Sequence, residues 1–235
     1  MSTNIDEIMK NSFAVDSSAD AQRAFMQRIY AWMVGGLLLT AAFAWLTISV
    51  GAITEIVFNI RWILMLAEFG LVFYLSARIE KMAVSTAQIM FMVYSALNGL
   101  TLSIIFFAYT LESISTVFLI TAATFGATSL FGYVTKRDLS SVGSFMFMGL
   151  IGIIIASIVN IWLQSSALYF AVSVIGVLVF VGLTAWDTQK FKSMYEVELQ
   201  NPEAAAKISI LGALNLYLDF INMFIFILRL LGNRR

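Results

Sequence analysis

The last apolar stretch of the chain, Ile208 to Leu228, carries a carboxylic acid, Asp219, near its midpoint. A stretch of that length can cross a bilayer. A lone carboxylate at such depth is expensive, so Asp219 must face the protein interior, a water-filled cavity or a partner group. Asn215, Asp219 and Asn222 stand at i, i+4 and i+7 and share one helical face, with Gly212 before them and Arg229 at the end. Such a stripe can line a hydrated path for protons or cations. It can also tie helices together through hydrogen bonds. Bonding between helices is the expected role of the two asparagines. A functional role is expected of Asp219, because a charge costs far more than an amide.

Two further acids belong to the same question. Asp187 closes the apolar run before it, in Gly182-Leu-Thr-Ala-Trp-Asp-Thr-Gln-Lys190. Hydropathy makes it an interfacial acid at a helix end, near Lys190. It is also the natural partner for Asp219, although depth argues against this: Asp219 lies about eleven residues, roughly 16 Å, into its own span. The two could meet only if the sixth helix sits deeper, or the seventh begins later, than hydropathy suggests. A carboxylate also suits a helix C-terminus poorly unless the helix continues past it. Glu68 lies inside another span and needs a partner, with Arg229, Arg78 and Arg61 as candidates for a structural ion pair.

The elements that must position these acids are membrane helices. Of 235 residues, 60% are hydrophobic and 12% charged, roughly half the charged fraction of soluble domains. Apolar runs recur at close to the span length of hydrocarbon, and a backbone in lipid must satisfy its own polar groups, so the fold class is all-α, a polytopic helical bundle. Seven spans are predicted, near 25–50, 62–77, 83–109, 113–133, 142–163, 167–186 and 208–228. Residues 1–24 read as a polar cytoplasmic tail and 25–232 as one membrane domain. The first apolar run has no cleavage site and reads as an uncleaved span. Trp62, Trp162 and Trp186 look like interfacial anchors, and Gly152 with Ala156 like a helix-packing pair.

Ten basic residues (Lys10, Arg23, Arg28, Arg78, Lys81, Lys136, Arg137, Lys190, Lys192 and Lys207) fall on one side. Arg61, Arg229, Arg234 and Arg235 fall on the other. The N-terminus is therefore expected in the cytoplasm and the C-terminus outside. The basic C-terminus fits this less well and leaves open six spans with a re-entrant last segment. The chain has no cysteine and no histidine. This removes disulfides, thiolate nucleophiles, the usual transition-metal sites and the usual pH switch. No phosphate loop or basic nucleic-acid patch is present, so no nucleic-acid partner and no cofactor are expected.

Three segments carry a resemblance to the Bax inhibitor-1 family, in particular its bacterial inner-membrane members: Gly132-Tyr-Val-Thr-Lys-Arg-Asp-Leu-Ser140, the run Gly182 to Lys190, and Ser209-Ile-Leu-Gly-Ala-Leu-Asn-Leu-Tyr-Leu-Asp-Phe-Ile-Asn222 continuing to Leu228-Arg-Leu-Leu-Gly232. The resemblance extends from about Gln22 to the end. It implies a bundle with the seventh helix central, and an aspartate pair at Asp187 and Asp219 that senses pH and controls a calcium leak. It implies an arginine latch on the sixth-helix aspartate, with Arg78 as the nearest match, and a Glu68–Arg229 pair. Two carboxylates at one site cannot both ionise cheaply, so such a pair shares a proton. Calcium takes oxygen ligands, which Asp187, Asp219 and neighbouring amides could supply, and it would compete with protons. Calcium is then the transported ion, and the partners are the bilayer, calcium and protons.

Other readings are a non-transporting regulator of a membrane-anchored ATP-dependent protease, or an intramembrane aspartyl protease. The second fits less well: the acids stand as Trp186-Asp187 and Leu218-Asp219, and the single proline, Pro202, lies in a polar stretch. No enzymatic activity is expected. A retinal pump is excluded, since no lysine follows Lys207.

Overall fold

A computed structural model describes residues 2–198 and 201–235, and the side chains of 20–195 and 201–235. The helices are α1 (Ser2–Ser49), α2 (Gly51–Arg78), α3 (Val84–Leu102), the one-turn α4 (Ile105–Ala108), α5 (Leu111–Val134), α6 (Ser140–Leu163), α7 (Ser166–Glu198) and α8 (Pro202–Leu231). Seven of these units, with α4 continuing α3, are long and apolar enough to cross a membrane. Among the described residues there is no strand, only an isolated bridge between Tyr109 and Arg234.

The ends are set by local chemistry. Pro202 opens α8 where its missing N–H costs nothing, and the Asn201 side chain accepts from the Glu203 N–H at 2.9 Å. Thr110 caps α5 by accepting from Ser113 N–H at 3.3 Å. Gln164 takes a left-handed backbone, φ 48°, to end α6 and turn at once into α7.

The last span occupies the middle of the bundle. In its most apolar window 72% of residues are buried, against 11–39% for the other six spans. It packs against α1, α3, α5 and α7. Tyr217 sits edge-on to Phe91 and Tyr94, with ring centroids at 5.9 and 5.7 Å, and Phe220 likewise to Phe118 and Phe125, at 5.4 and 5.5 Å. In lipid such packing, rather than water exclusion, holds helices together. The helix also crosses the whole bundle. Near its start Lys207 donates to the carbonyl of Glu80 at 3.2 Å. Beyond its end Thr110 N–H donates to Asn233 O, and Arg235 N–H to Ala108 O, at 3.2 and 3.1 Å. The last segment is thus one unbroken helix that reaches both ends of the bundle.

Several sequence expectations need correction. The second span begins at Gly51 rather than Trp62, because Glu55, Asn59 and Arg61 depress hydropathy without interrupting the helix. Trp62 is consequently an outward-facing mid-helix residue, not a span-end anchor, whereas Trp162 does sit at the end of α6. The expected tail is helical over residues 2–24 and continuous with α1. Most of the expected loop 188–207 is also helical: α7 runs on to Glu198 and α8 starts at Pro202. Gly152 is exposed with open space beside it, so it forms no packing notch within this chain.

Candidate functional site

The continuation of α7 decides where Asp187 lies. The helix extends eleven residues beyond it, so Asp187 is an interior residue of α7 and the dipole objection disappears. Asp219 is an interior residue of α8, which begins well before the predicted Ile208. The two helices pack more extensively against each other than any other pair. Asp187 and Asp219 are 6% and 4% exposed and lie within electrostatic reach of each other. Oδ1 of Asp187 and Oδ2 of Asp219 are buried without a hydrogen-bond partner.

Close approach of neighbouring helices brings this segment of α7 inside. A Cβ on Gly132 would overlap the backbone carbonyl of Ala185, and one on Gly143 would overlap the Trp186 ring. Backbone of α5 and α6 therefore lies directly on the turn that carries Asp187, which is why glycine is required at both positions. Trp186 is held in this contact rather than anchoring a helix end.

The polar surroundings are sparse. Asn215 and Lys190 are the neighbours of Asp187, and Thr184 is beside Asp219. Thr184 donates to the carbonyl of Phe180 at 2.7 Å. Thr188, fully buried, meets Ser129 at 3.4 Å and Tyr30 at 3.5 Å. Asn222, expected to bridge helices, donates to Leu218 O of its own helix at 2.8 Å. Arg78 is exposed and forms no salt bridge with Asp187 among the described residues. The cation beside Asp187 is Lys190, one turn further along the same helix.

Glu68 forms a second, separate polar centre. Its carboxylate accepts from Asn98 Nδ2 at 3.3 Å and Thr101 Oγ1 at 2.5 Å. Tyr217 donates to Asn98 Oδ1 at 3.0 Å and meets Thr40 at 2.6 Å, which donates in turn to Ser95 O at 2.8 Å. The expected ion pair with Arg229, Arg78 or Arg61 is absent among the described residues. Arg229 instead lies over Tyr169 and Phe226, at 5.5 and 5.2 Å, and Arg61 over Trp62 at 5.7 Å. Third-span donors reach Glu68 first and satisfy both oxygens. Asn98 and Thr101, at i and i+3 inside an apolar run, are the signal that could have revealed this network.

Chemically, two neighbouring buried carboxyls can share a proton or offer oxygens to a hard cation. Among the described residues no group of three or more acidic, His or Cys side chains surrounds them. A calcium ion, which takes six to eight oxygens, would have to complete its shell with amides and water.

The chain was compared with known proteins. Residues 22–235 match the family described as "Inhibitor of apoptosis-promoting Bax1". The "Inner membrane protein YbhL" of Escherichia coli K12 is 50% identical over 235 residues, covering 98% of this chain and 100% of the relative. An uncharacterized protein of Rickettsia prowazekii is 50% identical over 215 residues, 91% of each chain. The uncharacterized protein YrjE of Lactococcus lactis is 35% identical over 230 residues, 94% of this chain and 96% of its own.

Proposed function

The chain belongs to the Bax inhibitor-1 family, and from that premise we propose that it is a pH-responsive calcium leak of the bacterial inner membrane, controlled by protonation of the Asp187–Asp219 pair. The inner-membrane location is supported by the seven apolar helices and by the name of the Escherichia coli relative.

The observation that carries the reading is the pair itself: two buried acids on adjacent helices, each with an oxygen lacking a hydrogen-bond partner. A buried polar atom left unpaired is costly. One shared proton would turn one acid into a donor to the other and relieve both. With both acids ionised, Lys190 is the nearby positive charge that compensates Asp187. Protonation removes that attraction within α7 and the like-charge repulsion between Asp187 and Asp219 across the α7–α8 contact. Loss of the second proton gives the carboxylates back to a passing calcium ion, so protons and calcium compete for the same oxygens.

The sign follows. Lower pH protonates the pair and removes the negative charge that Lys190 and a passing calcium ion pair with, and in this reading the protonated state is the leaking one. Calcium efflux from proteoliposomes is expected to rise as pH falls for the wild type, and to become flat with pH in Asp219→Asn and in the Asp187→Asn/Asp219→Asn double variant. Efflux that kept its pH dependence in the double variant would defeat this assignment. A protein that carried no calcium at any pH, yet co-purified with a membrane-anchored ATP-dependent protease, would favour the regulator reading.

A further inference from the structure

The sequence segments Gly132–Ser140 and Gly182–Lys190 have a consequence that the aspartate pair does not use. Together with the next turn of α7 they line a half-open cavity of about 450 Å³, bordered by Thr135, Lys136, Asp138, Trp186, Gln189, Lys190 and three further residues. That volume falls in the range of small-molecule sites.

The cavity is held in shape. Leu139 N–H donates to Gln189 Oε1 at 2.8 Å, and Gln189 Nε2 donates to Arg137 O at 2.8 Å. Lys192 donates to Tyr133 O at 2.9 Å. The 135–139 loop is thus fastened to α7 rather than free to collapse into the space.

Its lining is positive. Lys136, Lys190 and Lys192 contribute ammonium groups against one carboxylate, Asp138, and none of the three lysines is in a salt bridge among the described residues. Lys190 lies over the Trp186 ring at 4.9 Å and Lys192 over Tyr133 at 4.8 Å, so aromatic faces position them and leave N–H donors for a ligand. Asp187, within reach of Lys190, is buried on the bundle side. Asp138 is turned onto Ser140, whose hydroxyl and backbone N–H hold it below the usual carboxylate range. Thr135 Oγ1 accepts from Arg137 N–H at 3.3 Å, which leaves its own hydrogen to donate.

We propose that this cavity binds a phosphate group, from either an anionic phospholipid headgroup or a soluble phosphate compound. Several ammonium and hydroxyl donors converging on one space suit an anion with three or more acceptor oxygens. The cavity also lies where α5 ends and α6 begins, at the shared end of two helices long and apolar enough to cross a membrane. This proposal does not rest on the calcium reading.

The test uses the full-length protein in a non-ionic detergent. Thermophoretic titrations are run with dihexanoyl phosphatidylglycerol, with zwitterionic dihexanoyl phosphatidylcholine and with inorganic phosphate. Saturable binding of phosphatidylglycerol alone assigns a headgroup, and saturable binding of inorganic phosphate assigns a soluble source. In either case Lys136→Gln/Lys190→Gln weakens it by roughly tenfold or more. Lys136→Gln alone, at an exposed loop position, keeps the wild-type melting temperature and still weakens binding. Binding of phosphatidylcholine as tight as that of phosphatidylglycerol, binding indifferent to both lysines, or no saturable binding of either probe would overturn the proposal.

Discussion

At the scale of single residues, the chain places Glu68, Asp187 and Asp219 in two different environments. Glu68 is surrounded by donors, Asn98 and Thr101, and needs no cation. Asp187 and Asp219, on adjacent helices and within electrostatic reach of each other, each keep an unpartnered oxygen. This difference predicts that Glu68 and Arg229 are energetically independent. In detergent-purified protein, the melting-temperature shift of Glu68→Gln/Arg229→Gln should equal the sum of the single shifts, with coupling below about 0.5 kcal/mol. Coupling above about 1 kcal/mol would restore the ion pair. The single acids were legible in the sequence, because a carboxylate in an apolar run is conspicuous. Their partners were not. Arginines draw the eye by charge, whereas Asn98, Thr101 and Tyr217 reach Glu68 only because three helices converge there.

At the scale of elements, position depends on how closely helices approach α7. Gly132 and Gly143 stand where a Cβ would meet the Ala185 carbonyl and the Trp186 ring. A backbone carbonyl cannot rotate away as a flexible side chain can. Gly132→Val is therefore expected to destabilise the protein by about 1–3 kcal/mol and to shift the pH response of calcium efflux, since it pushes α5 off the turn carrying Asp187. Gly152→Val, beside open space, should do neither. Thermal unfolding in detergent and the efflux assay check both variants, and equal effects at the two glycines would contradict the packing account. Element boundaries were the least legible feature. Hydropathy ended the sixth span at Trp186 and began the seventh at Ile208, while the helices run to Glu198 and from Pro202. Amphipathic turns beyond the apolar core carry lysines and glutamates, so hydropathy falls although the backbone hydrogen bonds continue. That is why depth argued against a pair that the longer helices bring together.

At the scale of the whole molecule, the seven-span architecture and the central last helix could both be anticipated, the first from the recurrence of apolar runs and the second from the family resemblance. The distribution of basic side chains predicts which end of the bundle faces the cytoplasm. The absence of cysteine makes this directly measurable. With inverted and right-side-out vesicles, a membrane-impermeant maleimide should label Lys136→Cys from the cytoplasmic side and Arg235→Cys from the periplasmic side. The reverse pattern would invert the topology and place the basic cavity outside the cell. The C-terminal residues are fastened to the α4–α5 turn and, through Arg234, to Tyr169 at 3.0 Å. The last helix is thus held at its far end while its middle carries the acid.

The most direct test of the central claim is infrared difference spectroscopy across a pH series on Glu68→Gln protein, in which Asp187 and Asp219 are the buried carboxyls among the described residues. The account predicts one protonated-carboxyl band that titrates with pH and is altered by either Asp187→Asn or Asp219→Asn alone, because the proton belongs to both residues. Absence of a protonated-carboxyl band throughout the series, or a band that one of the two substitutions leaves untouched, would contradict it.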